Sequence, residues 1–284
     1  MKKRFSITYC EKVDAKIASR RFAYTVAAGF VETAFSLSGE TISPEELSSA
    51  KEAGLAVESL RLPVDGVNLL WEPNAVHPAA EDALPSDAPV WDERMWEALS
   101  GLYSSYFSFA AGVGVERVIL TPTVGTALPP VSQTALSRFR ALAECAKEKG
   151  VRLLVENDKS APHFEAVVRV CCEDGFHGVS FSPARAWRYF GTSQIPPYAS
   201  SHLMRLSLDD AKGDVFGYLP FDGDTDFRPF AKSLAPLHFR GTLAIMPDRG
   251  LAPYGEADHF AFATRAYDRL SALLRLMKNE EGVV

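Results

Sequence analysis

The sequence is short of the residues and runs that usually mark a specialised site. Its 284 residues include four cysteines, Cys10, Cys145, Cys171 and Cys172, and none forms a Cys-x-x-Cys pair. That leaves no zinc framework, and so few thiols suit a reducing compartment. No apolar run approaches the roughly 18 residues needed to span a bilayer. The opening "MKKRFSITYCEK" is basic, but Glu11 and Lys12 break its apolar stretch early, so it does not read as a signal peptide. The cytoplasm is therefore the expected location, with no membrane partner. Lysine and arginine form no long block and the net charge is −6, which argues against a nucleic-acid partner. "TYCEKVDA" contains no glycine, so the phosphate-binding turn that follows the first strand of a doubly wound sheet is missing. There is no short internal repeat and no low-complexity tract.

What the chain does contain is an alternation of β-rich and helical runs. "RFSITYC", "FVETAFSL", "LAVESLRLP", "VERVILT", "VRLLVE", "FHGVSFS", "HLMRLSL" and "FRGTLAIM" read as eight strands. Helical patterns lie between and after them. Asp14 reads as the cap of the first, and Ser43 followed by Pro44 as the start of the second. Met95, Leu99, Leu102, Tyr106, Phe109 and Val113 recur at spacings of three and four, as do Val131, Ala135, Leu136, Phe139, Leu142 and Ala146. Phe260, Ala263, Leu270, Leu273 and Met277 mark the last helix. Each set predicts a buried stripe. Eight strand–helix units in this length predict an α/β fold, a (β/α)8 barrel occupying residues 1–284 as one domain, with an open doubly wound sheet as the rival. Residues 72–91, rich in proline and bracketed by Trp71 and Trp91, form the longest irregular stretch, read either as a lid or as a surface insertion. "FGYLPFDGDTDF" lacks the ligand spacing of a calcium loop and reads as a turn and helix cap.

In such barrels chemistry sits at the C-terminal ends of the strands. Glu156 ends strand five there. Around it the other strand ends supply Arg61, Thr121, Thr123, Ser182, Arg185, Trp187, Arg205, Ser207, Asp209 and Asp210, with Met246, Asp248 and Arg249 at strand eight. His163, His177, His238 and His259 fall near element starts and read as packing or surface residues, and His202 belongs to the opposite face. Arginine forks hold carboxylate or phosphate groups, so the ring suits an anionic or polyhydroxylated small molecule. The same residues also fit a plainer description, in which Glu156, Asp209 and the arginines neutralise one another.

The order of elements resembles the xylose isomerase-like TIM barrels, the group that holds sugar phosphate isomerases and epimerases and the endonuclease IV type of repair enzyme. The resemblance rests on "AGFVETAFS", "GLAVESLRLPV", "GVERVILTPTVG", "AKEKGVRLLVEND", "GFHGVSFSPARAW", "LMRLSLDDAKGD", "LPFDGDTDF" and "FRGTLAIMP". It implies a metal-binding Glu followed by Asn at Glu156 and Asn157. It also exposes departures. Ser182 and Arg185 stand where the family has Asp and His after strand six, and Arg61 where it often has His before a proline. Leu206 takes the place of the strand-seven His, with Asp209 in the Asp position, and Met246 that of the closing Glu. At strand two, either Glu32 or Ala34 matches the family's carboxylate.

The family's chemistry, as the resemblance implies it, uses one or two divalent ions to polarise a carbonyl and hydroxyl while a carboxylate shuttles a proton. Here the expectation is a sugar or sugar-acid isomerase or epimerase, its ligand free or phosphorylated, with an altered, metal-poor site. Glu156, Arg185 and Asp209 are the expected catalytic residues, with Glu156 as base and Asp209 orienting Arg185 or a hydroxyl. Arg61, Asn157, Trp187, Ser182, Arg205 and Thr121 are the expected substrate contacts. Glu156 and Asp209 are the residual ligand pair for Mn or Mg, should an ion bind. The alternatives are an inactive barrel that binds a sugar or a partner subunit and, less favoured, a DNA repair endonuclease. The sequence is compatible with a homo-oligomer.

Overall fold

The structure, a computed structural model, describes residues 4–8, 15–37, 44–64, 66–71, 93–125, 127–248, 250–251, 254 and 258–281. The expected caps Asp14 and Ser43, the loop 72–91 and Arg249 lie outside these residues.

The barrel strands are β1 (Phe5–Ile7), β2 (Glu32–Ser36), β3 (Ala56–Arg61), β4 (Arg117–Leu120), β5 (Arg152–Glu156), β6 (Gly178–Phe181), β7 (Leu203–Ser207) and β10 (Thr242–Ile245). They close in the order β1-β10-β7-β6-β5-β4-β3-β2, and every pairing is parallel. The helices are α1 (Ala15–Ala27), α2 (Pro44–Glu52), α3 (Glu93–Gly112), α4 (Gln133–Glu148), α5 (Ala161–Cys171), α6 (Pro183–Phe190), α7 (Pro197–Ser200), α8 (Arg228–Leu234) and α9 (His259–Glu281). All eight strands expected from the sequence are present in a closed barrel, so the open-sheet alternative is excluded. No helix among the described residues is long and apolar enough to cross a membrane.

The helix stripes need correction at their edges. In α3 the buried line runs through Tyr103, Phe107 and Ala110, while Leu102 is exposed. Leu99, Tyr106, Phe109 and Val113 flank that line and pack against it part-buried. The face is therefore wider than the chosen series and rotated by about one residue, or roughly 100° of helical turn. Val131 lies before α4, whose N-cap is Ser132 with its hydroxyl accepting from the Ala135 amide, and it is exposed. Phe260 sits on the outer side of α9, against Tyr24 of α1. Of the remaining stripe residues, Ala135, Phe139, Leu142, Ala146, Ala263, Leu270, Leu273 and Met277 are core, and Leu136 packs against it part-buried. His163 is a packing residue, buried edge-on against Trp71 and bonded to the Pro129 carbonyl.

One pair of strands was not anticipated. After β7 the chain forms an antiparallel hairpin, β8 (Asp210–Lys212) and β9 (Val215–Tyr218), so "FGYLPFDGDTDF" starts as a strand and only then turns. Asp210 organises that turn. Its carboxylate accepts the backbone N–H groups of Ala211 (2.7 Å), Thr225 (3.1 Å), Phe221 (3.0 Å) and Gly223 (3.0 Å). Phe221 is held at φ 69°, in the left-handed region that costs a non-glycine residue energy. Gly223 has no alternative: a Cβ there would lie 2.3 Å from the Ala211 carbonyl oxygen. The buried Asp210 carboxylate is thus consumed by backbone amides and is withdrawn from the group of carboxylates at the mouth.

The barrel interior departs from the usual filling of branched apolar side chains. Arg205 of β7 reaches Glu58 of β3 at 2.8 Å, and Arg117 of β4 reaches the Thr242 hydroxyl of β10 at 3.2 Å. Both pairs join strands four places apart in the closed order, so each contact crosses the barrel axis. Glu58 is the extra residue of a bulge: Thr33 pairs with Val57 and Ala34 with Ser59, leaving Glu58 unpaired. Bulges commonly re-aim a side chain, and this one sends a carboxylate inward.

Replacing Asp210 with alanine leaves buried N–H groups without acceptors. The expected loss is about 3 kcal/mol of stability, read as a lowered denaturant midpoint at unchanged slope.

Candidate active site

At the C-terminal end of the barrel, β5 delivers Glu156 fully buried. Arg61, at the end of β3, grips it with both ends of its guanidinium, Nη1 to Oε2 at 2.6 Å and Nη2 to Oε1 at 3.0 Å. Arg185, in the first turn of α6, donates to Oε2 at 3.4 Å. From below, Arg205 Nη1 lies 3.6 Å from Oε1. Two serines complete the shell. Ser207 and Ser180 donate to Oε1 at 2.7 and 2.8 Å and accept from Arg205 Nη1 at 2.6 and 3.2 Å. Burial alone would raise the Glu156 pKa. The Arg61, Arg185 and Arg205 charges overcome that and hold it well below the usual carboxylate range.

Asp209 follows β7 by two residues, so Arg205, Ser207 and Asp209 continue one inward-facing alternation. It is buried, and its Oδ2 has no hydrogen-bond partner. Its pKa is raised to about 6, first by burial and also by the nearby Glu156 charge, against the opposing pull of Arg185 and Arg61. No ion pair joins Asp209 to Arg185 among the described residues. Arg185 instead faces Asp158 at 3.6 Å, besides Glu156, so the expected orienting contact is supplied by Asp158.

Asn157 and Ser182 position the site more than they face it. Asn157 Nδ2 donates to the Ser182 carbonyl at 2.9 Å, and the Ser182 amide donates to Asn157 Oδ1 at 2.7 Å. The Ser182 hydroxyl then caps α6 by accepting the Arg185 amide at 3.3 Å. This clamp ties the end of β5 to the start of α6 and thereby places Arg185 next to Glu156. Arg205 is sealed beneath the serines, at 2 % exposure, and meets the mouth only through them and Glu156. Thr121 and Thr123 are buried just beyond β4, and the Thr123 hydroxyl is unpartnered. Trp187 stands 36 % exposed on α6. Asp248 accepts the Gly250 amide at 2.8 Å in a local turn.

Sequence reading missed several groups here. Glu58 was hidden because a strand bulge breaks the alternation that would have pointed it inward. Phe216 and Tyr189 pack with ring centres 5.8 Å apart, tilted by 32°, with Arg185 over Phe216 at 5.8 Å and Lys159 over Tyr189 at 6.0 Å. Their position depends on the unanticipated hairpin.

A divalent ion does not fit this donor set. Among the described residues no three His, Cys, Asp or Glu side chains converge. Glu156 is already paired with Arg61 and Arg185, whose positive charge would repel a cation. Glu156 and Asp209 therefore do not form a ligand pair.

No protein-family model matches the sequence, and no curated protein is significantly similar to it. Solved structures do match in shape. An L-ribulose 3-epimerase superposes with a TM-score of 0.70 at 14% identity, covering 99% of this chain and 97% of that one. A xylose isomerase-like TIM barrel/4-hydroxyphenylpyruvate dioxygenase fusion protein gives 0.67 at 17% identity over 99% of this chain, which spans only 45% of the fusion. The chain has the xylose isomerase-like TIM-barrel fold. A D-psicose 3-epimerase from Clostridium cellulolyticum, solved with D-tagatose, matches at 0.66 and 13% identity over 96% of this chain and 99% of its own. The structural neighbours of this xylose isomerase-like barrel thus include sugar epimerases.

Two measurements test the electrostatics. Glu156→Gln leaves Arg61 and Arg185 without their buried counter-charge and is expected to cost about 3–5 kcal/mol at pH 7, a loss that shrinks as the pH falls below about 4, where the unfolded-state carboxylate takes up a proton while the native one, held far lower, stays ionised. Asp209 behaves oppositely. Its raised pKa means its destabilising effect is absent below the unfolded value near 4 and complete above about 6. Asp209→Asn should therefore raise stability by about 2–3 kcal/mol at pH 8, and by nothing at pH 3.5, in paired thermal melts.

Proposed function

We propose that the barrel mouth binds a polyhydroxylated, sugar-class carbonyl compound and isomerises it without a metal ion. Asp209 transfers the proton and Arg185 stabilises the developing oxyanion. The observation that carries this reading is a buried carboxyl with an unpartnered oxygen, poised near neutrality, within electrostatic range of a fixed guanidinium at the catalytic end of the barrel. The epimerase neighbours support the ligand class.

Glu156 was the expected base, and its surroundings argue for another role. A carboxylate held this far below neutrality by three arginines is a weak proton acceptor. Its function in this reading is to fix Arg61 and Arg185. Asp209 is matched to proton transfer near pH 6–7. It takes a proton from the carbon beside the carbonyl, breaking that C–H bond. The enediolate oxygen is met by Arg185, a preorganised donor in place of a metal. Transfer of the hydroxyl proton from one enediol oxygen to the other, with return of the carbon-bound proton to the former carbonyl carbon, completes a 1,2-transfer. One base serving one face favours isomerisation over inversion at a single carbon.

A second reading, binding without turnover, is favoured by the Glu156 lock itself, since the most buried carboxylate of the site is spent on structure. The repair-nuclease alternative has little support: the donor set fits no metal cluster and the chain is acidic.

Incubation with a panel of aldoses, ketoses and sugar acids in D2O separates the two readings. Isomerisation predicts deuterium at a carbon beside the carbonyl, with rates rising through about pH 6 and falling at least 100-fold in Asp209→Asn while ligand binding persists. Binding with neither isomerised product nor deuterium uptake from any panel member would establish the non-catalytic reading.

A further inference from the structure

We propose that Asp158 is an internal stand-in for a ligand carboxylate. On this inference the preferred ligand is a monoanionic sugar acid that takes Arg185 from Asp158, so binding is coupled to protonation of Asp158. The inference rests on the sugar-site reading above and names the substrate class of that same site.

The two arginines of the mouth are not equally satisfied. Arg61 holds Glu156 bidentately, with its shorter contact at 2.6 Å. Arg185 has only long contacts to carboxylates, 3.4 Å to Glu156 and 3.6 Å to Asp158, both from the single atom Nη1. A guanidinium can present two parallel N–H groups to one carboxylate, and here Arg185 does so to neither. The Arg185 guanidinium carbon lies 5.8 Å from the centre of the Phe216 ring, which limits where the group can swing. Arg185 and Asp158 are each about 15 % exposed, whereas Glu156 is sealed. The pair that solvent or a ligand can reach is therefore Arg185–Asp158.

Asp158 is poorly served as an anion in its place. Burial raises its pKa, the Glu156 charge adds to that, and Arg185, Lys159 and Arg61 oppose it without cancelling it. Tyr189, on α6, also feels its charge, and Asp209, after β7, shares Arg185 with it as a counter-charge. A ligand carboxylate that engaged Arg185 bidentately would withdraw the nearest counter-charge from Asp158 and add a second anion beside it. Both changes favour a proton on Asp158, and the ligand charge then replaces the one that Asp158 loses.

Charge balance selects a monoanion. Arg61 and Arg185 face Glu156 and Asp158 across the mouth, with Asp209 in the same field, so negative groups are not in deficit there, while Arg205 is already matched by Glu58. Exchanging the Asp158 charge for one ligand carboxylate preserves that balance. A phosphate dianion would leave an uncompensated negative charge in a largely buried site, which is costly.

The test is calorimetric titration of the full chain with a panel of hexoses, hexuronates and hexose phosphates between pH 5.5 and 8. Hexuronates should bind at least tenfold tighter than the matching hexose at pH 5.5, with hexose phosphates weaker than hexuronates. Hexuronate affinity should fall towards tenfold per pH unit as the pH rises, the limit for uptake of one proton. Asp158→Asn should flatten that pH dependence and tighten hexuronate binding at pH 8. Arg185→Gln, checked for folding by its circular dichroism spectrum, should erase the preference for the acid. Equal, pH-independent binding of hexoses and hexuronates would overturn this inference and leave the sugar site standing. Tighter binding of phosphates would also overturn it. Failure of every panel member to bind would overturn both readings.

Discussion

The structure turns on the burial of one negative charge. Glu156 sits fully enclosed where a closed barrel has little room for water, and a lone carboxylate could not remain ionised there. Three guanidiniums and two hydroxyls keep it ionised. Their supports follow in turn. Arg205 needs Glu58, Glu58 needs a bulge in β3, and Arg185 needs the Asn157–Ser182 clamp to bring α6 against the end of β5. What could be read as a set of independent side chains is a chain of electrostatic dependencies, and it fixes the mouth geometry before any ligand arrives.

That arrangement separates two tasks that one carboxylate could have carried. Charge organisation falls to Glu156, whose ionisation is locked. In the proposed reaction proton exchange falls to Asp209, which lies in the same electrostatic field and keeps one oxygen, Oδ2, without a hydrogen-bond partner. Two carboxyl groups in one pocket, pushed apart in acidity by their immediate partners, is the usual means of running acid–base chemistry near neutrality.

The barrel was legible in the sequence because its strands are short apolar runs with clear boundaries, and because Glu156 and Arg61 close β5 and β3 as strand-end residues should. The pairing of Glu156 with Arg61 and Arg185 follows from those positions. Other parts were not legible, for identifiable reasons. A bulge at Glu58 defeats a period-two reading. The β8–β9 hairpin is too short and too rich in Asp and Gly to stand out from a loop. The roles of Asn157 and Ser182 look like ligand contacts in a motif, and only three-dimensional proximity reveals that they bond each other. In α3, a run of apolar residues on several faces allowed a stripe about one residue off the buried line to be chosen, leaving Leu102 exposed while Leu99, Tyr106, Phe109 and Val113 pack against the core.

The contacts across the barrel axis have a consequence for how the molecule can assemble. Glu58 and Arg117 belong to the first half of the chain, and their partners Arg205 and Thr242 to the second. A fragment ending after β4 would carry a carboxylate and a guanidinium directed at an interior that had not yet formed. Unlike a barrel whose two halves meet through interchangeable aliphatic layers, this one is cross-tied, so neither half forms a complete interior without the other and cooperativity is built into its centre.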